Sequence, residues 1–202
     1  MTPSVQAAAA ALQRPGAVIL YPTETVYGLG GRAGDSAACR RIAAIKDRPM
    51  QPLIVLLDQA RAEALQVALP PLARALAARF WPGPLTLIVP AAPVAAALAG
   101  GLAPELLGPE QTVSLRWSGH PVADALVEAA GPITSTSANR HGEPPLLALD
   151  GHALAVDAVL DVGPLAPAQP STLVLCPQRR VLRAGALAAQ VEALLAEPRA
   201  GA

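Results

Sequence analysis

The feature that most constrains this chain is its proline, 22 of 202 residues scattered along the whole length. Each proline removes a backbone donor and blocks continuation of a helix. A coiled coil or bundle of long helices is therefore excluded, and many short elements punctuated by turns are predicted. The residues between them are apolar enough to fold. Hydrophobic side chains make up 52% and charged ones 15%, the reverse of the balance that keeps a chain disordered. At this length one core-forming domain over residues 1–202 is expected.

Periodicity places the short elements. The opening MTPSVQAAAAALQRPG lacks the basic start and continuous apolar stretch of a signal peptide and reads as an Ala-rich amphipathic helix. Ala17-Val-Ile-Leu-Tyr21, closed by Pro22, reads as a buried strand, and a loop rich in Thr and Gly follows. Ser36 is the candidate cap of a helix over 37–45, with Lys46 at its carboxyl end and Pro49 forbidding continuation. Residues 53–57 and 85–89 read as buried strands separated by helical stretches at 59–69 and 71–79, and 91–111 reads as irregular. Residues 112–116 alternate at period two, 121–130 are helical with Pro121 in the first turn, and 132–136 are extended. Strands at 157–162, 172–175 and 180–184 and a helix at 187–195 complete the pattern. Residues 85–104 carry no charge, but Pro90, Pro93, Gly100 and Gly101 interrupt them, so no membrane span is predicted. Strands interleaved with helices predict an α/β fold. Steps without a crossover helix, such as Leu173 to Arg183, predict a mixed sheet.

Charge and cysteine narrow the function. Fifteen basic side chains balance fifteen acidic ones, so no general electrostatic grip on nucleic acid is indicated. Cys39 and Cys176 lie far apart without ligand spacing and fit buried free thiols in a reducing compartment, which predicts a cytoplasmic protein. His120, His141 and His152 show no metal spacing, so no metal site is expected, and neither a P-loop nor a Gly-x-Ser-x-Gly elbow is present.

Three stretches could carry chemistry. Tyr21-Pro-Thr-Glu-Thr-Val-Tyr-Gly-Leu-Gly-Gly31 sets hydroxyls and glycines directly after a buried strand, where α/β sheets place ligands. Gly28, Gly30 and Ala33 match a relaxed dinucleotide fingerprint, but too many residues separate them from the strand for it to apply. Lys46-Asp-Arg48-Pro49 could clamp a triphosphate, or simply complement a helix dipole as solvated cations. Thr134-Ser-Thr-Ser-Ala-Asn139 offers donors and acceptors for a nucleotide or carboxylate, or forms an ordinary Ser/Thr turn. Phe80-Trp-Pro-Gly-Pro84 reads as a plug and turn, and Trp117 as packing.

Taken in order, YPTETVYGLG at 21–30, KDRP at 46–49, PLIV at 52–55, FWPGPLT at 80–86, TVSLR at 112–116, HP at 120–121, STSAN at 135–139 and LRAG at 182–185 closely resemble the YrdC/Sua5/TsaC family of threonylcarbamoyl-AMP synthases. The resemblance implies a twisted open mixed sheet with flanking helices and a large concave face. It also implies synthesis of threonylcarbamoyl-AMP and pyrophosphate from L-threonine, bicarbonate or CO2, and ATP accompanied by Mg2+. The product would serve a TsaD-type transferase that makes N6-threonylcarbamoyladenosine at position 37 of tRNAs. Carried over residue by residue, Thr25, Arg116, Ser135 and Ser171 would surround the threonine, with Arg116 on its carboxylate. Lys46, Arg48, Thr112, Ser137, Asn139 and Arg183 would hold the nucleotide, and Lys46, Arg48, Ser137 and Asn139 would carry the catalysis.

The chain departs from the family pattern in having only Met50 and Gln51 between Pro49 and Pro52, Leu56 in place of a histidine, Pro145 in place of a serine, and His141 before Gly142. Its length suits the short, single-domain form. Two other classes fit parts of the same pattern. One is an RNA-binding or ribosome-associated accessory protein using the same groove without making adenylate; for the synthase itself the zero net charge leaves at most weak tRNA contact. The other is a carbamoyl-handling module like that of hydrogenase-maturation proteins, which sits in much longer chains.

Overall fold

A computed structural model of the protein describes residues 4–196. Its core is a nine-stranded sheet. In chain order the strands are β1 (Ile19–Pro22), β2 (Tyr27–Gly30), β3 (Ile54–Leu57), β4 (Leu85–Pro90), β5 (Thr112–Trp117), β6 (Ile133–Ser137), β7 (Ala158–Val159), β8 (Thr172–Leu175) and β9 (Arg180–Arg183). They lie in the order β7-β1-β2-β6-β3-β5-β4-β8-β9. The pairs β1/β7, β3/β5 and β4/β8 are parallel and the other five antiparallel, so the sheet is mixed.

Two faces of this sheet are covered unequally. On one face α2 (Ser36–Ile45), α3 (Gln59–Leu65), α4 (Pro71–Phe80) and α5 (Ala91–Ala97) pack over Leu29, Val55, Leu57, Leu87, Val89, Val113 and Leu115, forming the main core. On the other, α1 (Val5–Ala11) and α6 (Pro121–Ala130) form a smaller core over Ile19, Tyr21, Leu56 and Ile133. The period-two alternation of β5 shows the consequence: Val113 and Leu115 enter the core, while Ser114 and Arg116 face the uncovered half. That open half is the concave face. A last helix, α7 (Ala188–Ala196), follows β9.

Several expectations need correction. The loop after Pro22 contains strand β2, which pairs with β1 and β6. Gly30 permits this pairing, since a Cβ there would stand 2.1 Å from the Thr134 carbonyl oxygen and 2.9 Å from the Tyr21 ring. The stretch 91–111 contains α5, because Pro90 sits outside the helix and Pro93 falls in its first turn, where amides need no helical partner. The cap of α2 is Asp35, whose carboxylate accepts from the Ala37 and Ala38 amides, while Ser36 donates to Glu105 at 2.6 Å. No helix among the described residues is long and apolar enough to cross a membrane.

Candidate active site

The open half of the sheet is walled into a cavity of about 580 Å³. Its floor is Ile54, Ser114, Arg116, Ser135 and Leu173 from the sheet. Thr23, Thr25 and Val26 close one side, and Arg48, Gln51 and Pro52 close another. Pro145, Ala168 and Pro170 come from the long segment between β6 and β8. That segment is pinned from below: the Tyr27 hydroxyl donates to the Gly163 carbonyl at 2.7 Å and accepts from the Val162 amide at 3.0 Å.

Three guanidiniums reach this cavity. Arg116, 5% exposed, donates through Nη2 to Glu24 at 2.6 Å and to the Thr25 hydroxyl at 3.3 Å. Its buried Nε–H has no acceptor among the described residues. Arg183 donates to the Ser171 hydroxyl at 2.8 Å and the Ser171 carbonyl at 3.1 Å, and Ser171 in turn pairs with the Thr86 hydroxyl at 2.9 Å. Gly185 lets the turn after β9 press against this corner, for a Cβ there would meet the Pro170 carbonyl at 2.1 Å. Among the described residues neither Arg48 nor Arg183 has an ion-pair partner.

All four residues expected on the threonine side, Thr25, Arg116, Ser135 and Ser171, line the cavity. Of those expected on the nucleotide side, Arg48, Ser137 and Arg183 line it, whereas Lys46, Asn139 and Thr112 are not among the lining residues. Lys46, 2% exposed, donates to the Ser137 carbonyl at 2.6 Å, the Asn139 carbonyl at 2.8 Å and Asn139 Oδ1 at 3.0 Å. Burial first, then the Arg48 charge, push its pKa down to about 8. Asn139 is committed on both ends, accepting also from Ser137 Oγ at 2.6 Å and donating to the Arg140 and Glu143 carbonyls. Thr112 donates to the Pro109 carbonyl at 2.8 Å. Sequence reasoning missed Thr23, Glu24, Ser114 and Gln51. The alternation that pointed to Arg116 would have found Ser114, two residues earlier on the same strand face.

A crevice with two unpaired guanidiniums, a third offering an unpartnered donor, and a floor of hydroxyls suits a small, multiply anionic ligand. No group of three or more His, Cys, Asp or Glu able to hold a metal ion occurs among the described residues. The Sua5_yciO_yrdC family model, described as "Telomere recombination", matches residues 11–185. The chain belongs to this family. A threonylcarbamoyl-AMP synthase of Bacillus subtilis is 41% identical over 180 residues, covering 84% of this chain and 49% of the relative. A threonylcarbamoyl-AMP synthase of Chromohalobacter salexigens is 41% identical over 172 residues, covering 82% of this chain and 89% of the relative. Among solved structures, P. abyssi Sua5 complexed with L-threonine superposes with TM-score 0.80 at 32% identity, covering 96% of this chain and 58% of that one. The chain thus spans about half the length of the Bacillus relative and under two thirds of the P. abyssi protein.

Proposed function

We propose that the chain, as a single domain, is an L-threonylcarbamoyladenylate synthase, a nucleotidyltransferase that condenses L-threonine, CO2 from bicarbonate, and ATP. The observation that carries this reading is the sharing of one cavity by Arg48, Arg116 and Arg183 with Thr25, Ser135, Ser137 and Ser171. The 41% identity to a synthase of which the chain covers 89% supports it. Arg116 would receive the threonine carboxylate through its unpartnered Nε–H, with the Thr25 and Ser135 hydroxyls beside it. Arg48 and Arg183 would neutralise triphosphate oxygens, and Ser137 would donate to one of them. Lys46 and Asn139 would hold the wall that presents Ser137, and Thr112 would brace the start of β5.

The threonine nitrogen forms a C–N bond to CO2 and gives up a proton, leaving a carbamate. A carbamate oxygen then bonds to the α-phosphorus as the bond to the bridging α,β-oxygen breaks, and pyrophosphate departs with that electron pair. The protein's contribution is positioning and charge neutralisation. Lacking an acidic cluster, the cavity would take Mg2+ as part of the ATP complex. The adenylate would pass to a TsaD-type transferase acting on tRNA, in a cytoplasmic setting where Cys39 and Cys176 stay reduced. The test is pyrophosphate release from ATP with and without threonine and bicarbonate. Release should require both and fall at least tenfold in Arg48→Ala. Threonine-independent release, or an unchanged rate in Arg48→Ala, would defeat the assignment.

A further inference from the structure

Glu24, in the turn between β1 and β2, belongs to none of the roles assigned above, yet it makes the shortest contact to Arg116. One carboxylate oxygen accepts from Arg116 Nη2 at 2.6 Å, and the other accepts from the Ser118 hydroxyl. Ser118 is 3% exposed and accepts from the His120 amide at 3.2 Å, so its single proton points to Glu24. His120 in turn caps α6, accepting the Val122 amide on Nδ1 at 3.2 Å. The carboxylate is thereby fixed to the frame of the fold through a helix start rather than to a mobile side chain. Glu24 is also the one carboxylate in ion-pair contact with a cavity guanidinium among the described residues.

This arrangement does two things to Arg116. Nη2 has two N–H bonds, and Glu24 and the Thr25 hydroxyl accept from it, while Nε–H is left without an acceptor. A planar guanidinium fork recognises a carboxylate only when its plane is held. Left alone beside Arg183 it would also be repelled by a like charge, an interaction that already lowers the Arg183 pKa after burial does.

We propose that Glu24 is the positioning residue of the amino-acid subsite, aiming the Arg116 guanidinium so that its unpartnered Nε–H receives the substrate carboxylate. The proposal rests on the assignment of Arg116 to threonine. It does not require Glu24 to touch substrate.

The test measures KM for threonine and for ATP separately, by pyrophosphate release, in Glu24→Ala, Glu24→Gln and Glu24→Asp, with urea unfolding of each. Glu24→Ala should raise the threonine KM by about tenfold or more while the ATP KM stays within about twofold. Glu24→Gln keeps an acceptor for Nη2 and should return the threonine KM to within about threefold of the parent. Glu24→Asp keeps the charge but withdraws the oxygen by one methylene, and should behave like the alanine variant. The proposal is overturned if Glu24→Ala leaves the threonine KM unchanged, or if both KM values rise together with a loss of stability. It is also overturned if glutamine restores nothing, or if aspartate matches the parent. Should Glu24→Ala fail to fold, the glutamine and aspartate variants decide. If the parent protein shows no threonine-dependent release, the synthase reading fails and takes this one with it. If the parent is active and Glu24→Ala resembles it, the positioning role alone fails.

Discussion

Lys46 offers the sharpest perturbation, because its structure predicts a different outcome from the one a phosphate-binding lysine would give. Its ammonium serves three acceptors on the segment that presents Ser137 to the cavity. In Lys46→Met the bulk is kept and all three bonds are lost. Bonds to a charged group contribute about 1.5–3 kcal/mol each, but the loss does not add up three times. Asn139 Oδ1 keeps the Ser137 hydroxyl at 2.6 Å, and the Ser137 carbonyl keeps the Asn139 amide at 3.1 Å. Only the Asn139 carbonyl loses its one acceptor bond, and relief of the buried charge offsets part of the rest. The net expectation is a destabilisation of about 2–3 kcal/mol, or roughly 5–10 °C in melting temperature for a domain of this size. Release of the wall would displace Ser137, and a shift of about 1 Å at a reacting centre can reduce turnover by about 100-fold. Urea unfolding and threonine-dependent pyrophosphate release, run on the same preparations, check both. If Lys46→Met is as stable as the parent to within about 0.5 kcal/mol and only the ATP KM rises, the lysine reaches phosphate directly and this reasoning is refuted.

Three other outcomes follow from the same structure. Gly30→Ala would drive a Cβ to 2.1 Å from the Thr134 carbonyl oxygen; a loss of about 3 kcal/mol or more in urea unfolding is expected, and a loss below about 1 kcal/mol would show that β2 and β6 can separate. Tyr27→Phe removes the hydroxyl that holds Val162 and Gly163, so a loss of about 1–3 kcal/mol with faster hydrogen exchange at the Val162 amide is expected, and unchanged exchange would contradict the pinning. Asp157 supplies the pH dependence. Burial pushes its carboxyl up, but the Val18 amide, then Arg41, then Arg14 outweigh burial and hold it below the usual aspartate range. A folded-state value below the unfolded one means the stabilisation is complete above the ordinary aspartate pKa and disappears as pH falls through the folded value. Asp157→Asn should therefore be less stable than the parent at pH 7 and converge on it as pH falls below the ordinary aspartate range, and a difference that stays constant through that fall would remove Asp157 from the acid response.

Apolar runs such as Leu53-Ile-Val-Leu-Leu57 announced their strands because burial on a sheet face selects for them directly. β2 did not, since Gly28 and Gly30 are poor strand formers by local preference and stand there for close approach to Tyr21 on the paired strand and, at Gly30, to Thr134 far along the sequence. Similarly α5 was hidden by prolines that break a helix interior but suit its first turn. At the site, the residues on strands were the legible ones: β5 and β6 point Arg116 and Ser135 to the cavity because alternate residues must take that face. Lys46 sits at a helix end, where a long side chain can turn to either side of the wall, and spacing along the chain carries no information about which. Glu24 was passed over within a motif already read as important, because its role depends on meeting Arg116 and Ser118 across 92 and 94 positions of sequence.

The neutral charge total and the positive cavity are compatible because the carboxylates are deployed elsewhere. Asp157 holds Arg14 and Arg41, Glu105 holds Arg40, and Asp58 holds Arg61, all outside the cavity wall. Among the described residues Glu24 is the one carboxylate paired with a cavity guanidinium, and it engages Arg116 through Nη2 alone. Arg48 and Arg183 are left to attract an anion over a short range, since at physiological salt the screening length is about 8 Å. Outside that range an approaching anion meets a chain with no net charge. Capture then depends on the ligand entering the cavity and matching its donors, not on long-range steering, which favours a small substrate able to bridge both guanidiniums over a polyanion spread across the surface.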